Sequence, residues 1–243
     1  MVSTLTNSII IVFSFLFSFS LPVPYRCILY NISRFVAECK RQADICFIVD
    51  SSGSIGIGDW IRVKIFLKDV VSRFEVGFNR VRFGLVVYSN KATVVLKLNE
   101  EYTAEGVFKR IDSLPYLERF TNTSGGLYLA NHVIFRLHNG DRPHIKNIAI
   151  LLTDGNANRD ADMTEPYAKE AKSHGVKMIV IGVTNNVYRQ NLEEIASQPL
   201  KYTVFHLSKI EVLSLALNRI VGETCHERGP RLYPSLPPGK TKR

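Results

Sequence analysis

The 243-residue chain has no Gly-x-x-x-x-Gly-Lys-Ser/Thr phosphate loop and no Gly-x-Ser-x-Gly nucleophile elbow, which argues against a phosphate-loop nucleotidase and an α/β-hydrolase. Gly53, Gly56 and Gly58 follow a strand, yet their spacing is not that of a dinucleotide fingerprint. Six histidines show no zinc spacing or pairing, and none of the four cysteines lies in a Cys-x-x-Cys arrangement. Metal-assisted hydrolysis would need a general base beyond the carboxylates that hold the ion, and the sequence offers none. The chain therefore reads as a non-enzyme. It also lacks a run of apolar residues long enough to span a bilayer.

What apolar run there is, Ile9 to Leu21, has the length of a signal-peptide core, and Ser18 and Ser20 give a small-x-small pattern before Leu21. No Lys or Arg precedes it. Residues 1–20 are read as a signal peptide, 21–42 as a linker, 43–225 as one domain and 226–243 as a basic, proline-rich disordered tail. The linker carries a glycan acceptor sequon at Asn31. Such a leader predicts secretion, where disulfides are the default. The net charge of +9 favours acidic partners such as sulfated polysaccharide. Because the basic residues are scattered rather than interleaved with aromatics, no nucleic-acid partner is expected.

Apolar strands alternate with amphipathic helices through the domain. Strands are predicted at 43–49, 82–88, 93–98, 146–153, 176–183 and 202–207, the second and third as a hairpin. Helices are predicted at 59–74, 103–111, 126–137, 165–173, 191–196 and 210–221. Strands apolar almost throughout belong in a sheet covered on both faces. The fold class is α/β and doubly wound: a six-stranded, mainly parallel sheet with one antiparallel edge strand.

Ligands of such sheets bind beyond the carboxyl ends of the strands. Three polar groups fall there: Asp50-Ser51-Ser52-Gly53-Ser54 after the first strand, Thr121-Asn122-Thr123 before a helix, and Thr153-Asp154-Gly155 after a central strand. Any one of them could be a cap or a turn. Together they offer two carboxylates and several hydroxyls, hard oxygen ligands suited to Mg²⁺, Mn²⁺ or Ca²⁺, with a coordination position left open.

These residues resemble the von Willebrand factor type A domain family. Asp50-x-Ser52-x-Ser54, Thr121 and Asp154 match that family's metal-ion-dependent adhesion site. The resemblance implies that the hydroxyls coordinate the ion, that the aspartates act directly or through water, and that a partner's Glu or Asp fills the open position. The run through Gly56 with Trp60, Lys64 and Phe66, and Leu114-Pro115-Tyr116, is similar to type A domains of matrilins and non-fibrillar collagens. Implied partners are extracellular matrix or cell-surface proteins offering a Glu or Asp, with collagen among them, and the implied location is the extracellular matrix. Arg119 and Arg159 would lie at the ligand rim. Where the family often has a glycine pair before its threonine, this chain has Glu118-Arg119-Phe120, and the sequon at Asn122 is expected to stay unmodified. A competing reading is a structural matrix protein whose basic surface binds polysaccharide or collagen without metal.

The first strand runs toward the polar groups and the last helix returns antiparallel. Cys39 and Cys225 are therefore expected to bridge at the far edge, with Cys46 free inside its strand and Cys27 unassigned.

Overall fold

The computed structural model describes residues 41–184, 186–209 and 213–225. The expected signal peptide, Asn31, Cys27, Cys39, nearly all of the linker and the whole tail lie outside them. No helix among the described residues is long and apolar enough to cross a membrane.

Six strands form one sheet: β1 (Ala43–Asp50), β2 (Val81–Tyr88), β3 (Ala92–Leu96), β4 (Asn147–Thr153), β5 (Lys177–Val183) and β6 (Val204–Leu207). Their order is β3-β2-β1-β4-β5-β6. Only β3 is antiparallel to its neighbour; the other pairings are parallel. The predicted fold class is the one observed. The helices are α1 (Ile57–Val71), α2 (Ala104–Asp112), α3 (Thr123–Leu129), α4 (Thr164–Ser173), α5 (Arg189–Ile195) and α6 (Ser214–Cys225).

Alternation along each strand feeds two apolar layers, as a sheet buried on both faces requires. In β1, Ile45, Phe47 and Val49 face a core closed by Trp60, Val63 and Leu67 of α1, Ile111 of α2 and Ile220 of α6. Cys46 and Ile48 face the opposite core, closed by Leu127 of α3, Ala168 of α4 and Leu192 of α5. Cys46 is a free thiol, and burial pushes its ionisation far up, so it behaves as a small apolar residue.

Several boundaries depart from the periodicity. The helix expected over 126–137 begins at Thr123, because the Asn122 side chain caps it by accepting from Gly125 N at 2.8 Å. It ends at Leu129 and gives way to a wider π-type turn over Ala130–Ile134. Tyr202, expected in the last strand, lies in a 3₁₀ turn ahead of β6. The last helix runs on to Cys225, and residues 210–212 of its expected start are outside the described ones.

Strand order reverses at β1, which has β2 on one side and β4 on the other. The connections that leave β1 and β4 pass to opposite faces, which opens a crevice beyond their carboxyl ends.

Candidate metal and ligand site

Asp50 closes β1 and is fully buried. Its Oδ1 accepts from Ser52 N at 2.9 Å, and its Oδ2 accepts from Thr153 Oγ1, at the end of β4, at 2.7 Å. Beyond it the chain turns through Ser52 and Ser54, whose hydroxyl oxygens are 3.1 Å apart. Ser54 Oγ donates to Asp154 Oδ1 at 2.8 Å. Gly56 then takes φ 72°, a left-handed conformation that glycine adopts without strain, and α1 begins.

Thr121 arrives from a separate loop. Its amide donates to Asn158 Oδ1 at 2.9 Å, and its carbonyl accepts from Asn158 N at 3.1 Å. A methyl group built on Gly155 would lie 3.8 Å from both Ser54 Oγ and Thr121 Oγ1, so the two hydroxyls approach this glycine together. Asp50, Ser52, Ser54, Thr121 and Asp154 thus converge at one sheet edge, each almost completely buried except Ser54.

The loops carrying them are tied to one another. Ser51 Oγ donates to Pro115 O at 3.0 Å and accepts from Leu117 N at 2.8 Å, while Ser51 O accepts from Glu118 N at 3.1 Å. On the other side Ser89 Oγ donates to Phe120 O and accepts from Arg119 N, both at 3.1 Å. Helix α3 reaches the sheet closely enough to position this loop because Gly126 has no side chain. A Cβ there would stand 2.8 Å from Ile48 Cγ2 and 2.9 Å from Tyr88 Cδ1. Ser89 and Asn158 carry no signal in the sequence, since their partners lie in distant loops.

The electrostatics of the cluster are uncompensated. Among the described residues neither Asp50 nor Asp154 forms an ion pair; both are held by hydroxyls and an amide. Burial, opposed by the bonds from Ser52 and Thr153, raises the Asp50 carboxyl. Asp154 is pushed up to about 6, first by burial and then by the Asp50 charge. Beneath them the Tyr88 hydroxyl is fully buried, and burial together with the Asp50 charge holds it protonated. Two buried carboxylates without a counter-charge, among hydroxyls only, fit a hard divalent cation. Among the described residues no three His, Cys, Asp or Glu side chains are placed to hold a metal ion together, so a site here draws on hydroxyls.

Of the rim residues, Arg119 is exposed, whereas Arg159 donates to Asn90 Oδ1 and lies 3.8 Å from Asp160. The Asn122 side chain is turned inward, accepting from Ser124 Oγ at 2.9 Å as well as from Gly125 N.

The family described as the von Willebrand factor type A domain matches residues 44–219. The chain belongs to this family. Among relatives with this domain, the collagen alpha-5(VI) chain of Mus musculus is 33% identical over 184 residues, covering 76% of this chain and 7% of that protein. Matrilin-1 of Gallus gallus is 28% identical over 233 residues, covering 92% and 46%. The chain thus spans less than half the length of these two relatives. Proximal thread matrix protein 1 from the mussel byssus superposes with a TM-score of 0.72 at 30% identity, over 77% of this chain and 49% of that one. A second structure of that protein, with a zinc-occupied MIDAS motif, gives a TM-score of 0.71 at 28% identity, over 77% and 47%. The type A fold and the kinship with collagen and matrilin domains agree with the sequence reading.

Proposed function

We propose that this type A domain is a secreted adhesion module of the extracellular matrix that binds a carboxylate-bearing protein through a divalent cation. The observation that carries the reading is the convergence of Asp50 and Asp154, buried and without a counter-charge, with the hydroxyls of Ser52, Ser54 and Thr121. These five residues would hold the ion, Mg²⁺, Mn²⁺ or Ca²⁺ by donor hardness. When bound, it would supply a Lewis-acidic position for a partner's Glu or Asp.

The chain's own groups do the rest. Backbone ties from Ser51, Ser89 and Asn158 hold the three loops in register, so little ordering is left for the moment of binding. Exposed Leu117 and Phe120 flank Arg119 on the threonine loop and offer an apolar, basic rim for the partner to meet. Matrix relatives support a matrix partner, and the related site that holds zinc supports a divalent ion. With both carboxylates holding the ion, neither would be left to act as a general base.

Calorimetric titration with Mg²⁺, Mn²⁺, Ca²⁺ and Zn²⁺ tests the reading. One site should appear in the wild type and vanish in Asp154→Ala. Pull-down from matrix extracts should be abolished by EDTA and weakened in Thr121→Ala. Equal metal affinity in wild type and Asp154→Ala would overturn the assignment.

A further inference from the structure

We infer that the open edge of the sheet along β6 is a second binding site, for a sulfated polysaccharide, separate from the metal-loop cluster and independent of it. A cleft of about 470 Å³ follows this strand, lined by Arg189, Lys201, His206 and Arg219 together with the apolar residues of β6. Among the described residues no carboxylate lines it. Its volume lies within the range of ~300–1,000 Å³ usual for ligand clefts.

Three different elements deliver the cations. Lys201 sits in the turn that leads into β6, at the amino edge of the sheet, and Arg189 opens α5 just past the carboxyl end of β5. Arg219 comes from α6. Because β6 runs parallel to β5, the charges are distributed along the strand, whose four residues span roughly 13 Å.

Two of them are oriented without being neutralised. The Arg219 guanidinium lies 5.7 Å from the centre of the Phe205 ring, and its Nη1 donates to Lys201 O at 3.3 Å. Lys201 Nζ stands 4.7 Å from the centre of the Tyr202 ring. Arg189 pairs with Glu193 at 2.7 Å, an exposed contact one helical turn apart that solvent screens. Two of the three cations are thus steered by rings and a carbonyl, which leaves their charge available to a ligand.

The strand itself narrows the choice of ligand. The carbonyls of Thr203 and Leu207 accept from Val180 N and Thr184 N of the β5 side. By alternation only Val204 and His206 turn their backbone groups outward, too few for an added polypeptide strand to gain much. A short edge flanked by cations is the usual device against strand addition. A nucleic acid would want a ring open for stacking, yet Phe205 is buried and faces Arg219, and Tyr202 faces Lys201. What remains is a row of cations suited to fixed, repeating anions. Sulfate groups on a linear sugar chain meet that description, and guanidinium matches their geometry well.

The test is retention of the full chain on immobilised heparin in EDTA, which removes the metal site from the measurement. Arg189→Glu with Lys201→Glu and Arg219→Glu should lower affinity by about tenfold or more, with elution at lower salt. A control with the same change in net charge, Arg73→Glu with Lys91→Glu and Lys109→Glu, uses exposed residues away from the groove and should lose much less. Should the charge reversals fail to fold, the three Gln replacements in the groove should still reduce affinity in the same direction. Equal loss in groove and control variants would overturn the site, leaving only a diffuse basic surface. Competition by poly-glutamate as effective as by heparin would overturn the ligand class, and desulfated heparin should compete poorly.

Discussion

Ser54 donates its hydroxyl to Asp154 at 2.8 Å across a sequence separation of 100 residues. This bond joins the turn after β1 to the end of β4, the two strands whose connections leave to opposite faces. It also holds a hydroxyl proton against a carboxylate that a metal ion would claim. Two of the five proposed ion ligands are thus drawn together from strands far apart in the chain.

Asp154 makes the metal-free domain sensitive to pH in an unusual direction. Its carboxyl, ordinarily near 3.8, is pushed up to about 6 by burial and by Asp50. Between those values the folded protein keeps a proton that the unfolded chain has released. Stability in EDTA should therefore be greater near pH 4 than near pH 6 as far as this group is concerned, by on the order of 2 kcal/mol. Metal affinity should run the other way, weakening as pH falls below about 6, because binding needs the ionised carboxylate. Unfolding curves of wild type and Asp154→Asn in EDTA would check this. If both show the same dependence between pH 4 and 6, Asp154 is not the source.

Asn158 holds Thr121 from behind, through both its amide and its side-chain oxygen. Asn158→Ala should leave the fold intact, since the residue is exposed, yet lower metal affinity roughly tenfold by loosening the threonine loop. Asn158→Asp keeps the acceptor for Thr121 N and should restore most of the loss. Calorimetry on the two variants separates positioning from general damage: equal affinity in wild type and Asn158→Ala would remove Asn158 from the site.

Glu118 has φ 53°, a left-handed backbone that glycine adopts without strain. For a residue with a Cβ this costs roughly 1 kcal/mol. Glu118→Gly should therefore raise stability by a few tenths to about 1 kcal/mol, part of the gain being offset by the freedom glycine has in the unfolded chain. Urea titration measures it. A destabilised variant would mean that the Glu118 side chain contributes more than its backbone strain costs.

Much of this was legible in the sequence because both layers of the core repeat with simple periods. Ile45, Phe47 and Val49 alternate with Cys46 and Ile48, and four of the five polar site residues fall where strands end, with Thr121 just ahead of α3. Long-range ties were not legible. Asp44 sits fully buried inside an otherwise apolar strand because Arg142 pairs with it at 2.7 Å, and the two are 98 residues apart. The start of α3 was hidden for another reason: Thr123, Ser124, Gly125 and Gly126 have weak helix propensity, and only the Asn122 cap and the close approach to Tyr88 select the helix there. Arg159 looked like an open charge and is engaged by Asn90 and Asp160, so Arg119 is the better candidate for steering.

The last prediction concerns the edge opposite the metal loops. Cys225 ends α6 and is disulfide-bonded, Cys46 is free, and the bridge partner lies outside the described residues. Position favours Cys39. Near its end α6 meets the amino edge of the sheet, where Glu223 O accepts from Lys146 Nζ at 2.6 Å and Lys146 O accepts from Asp44 N at 3.0 Å. Asp44 is the second residue of β1, and Cys39 is only a few residues upstream of it, within reach of an extended segment. Peptide mapping without reductant should recover Cys225 joined to Cys39 and not to Cys27. Closing so long a loop contributes about 4–5 kcal/mol in the chain-entropy model, so Cys39→Ser with Cys225→Ser should lower stability by a few kcal/mol. The bridge should also restrain α6 from sliding along α1, keeping the metal face near one affinity rather than letting it switch. Partner affinity and its metal dependence should therefore change when both cysteines are replaced. If mapping finds the bridge and the double variant binds as the wild type does, the disulfide is a staple and the restraint on α6 falls.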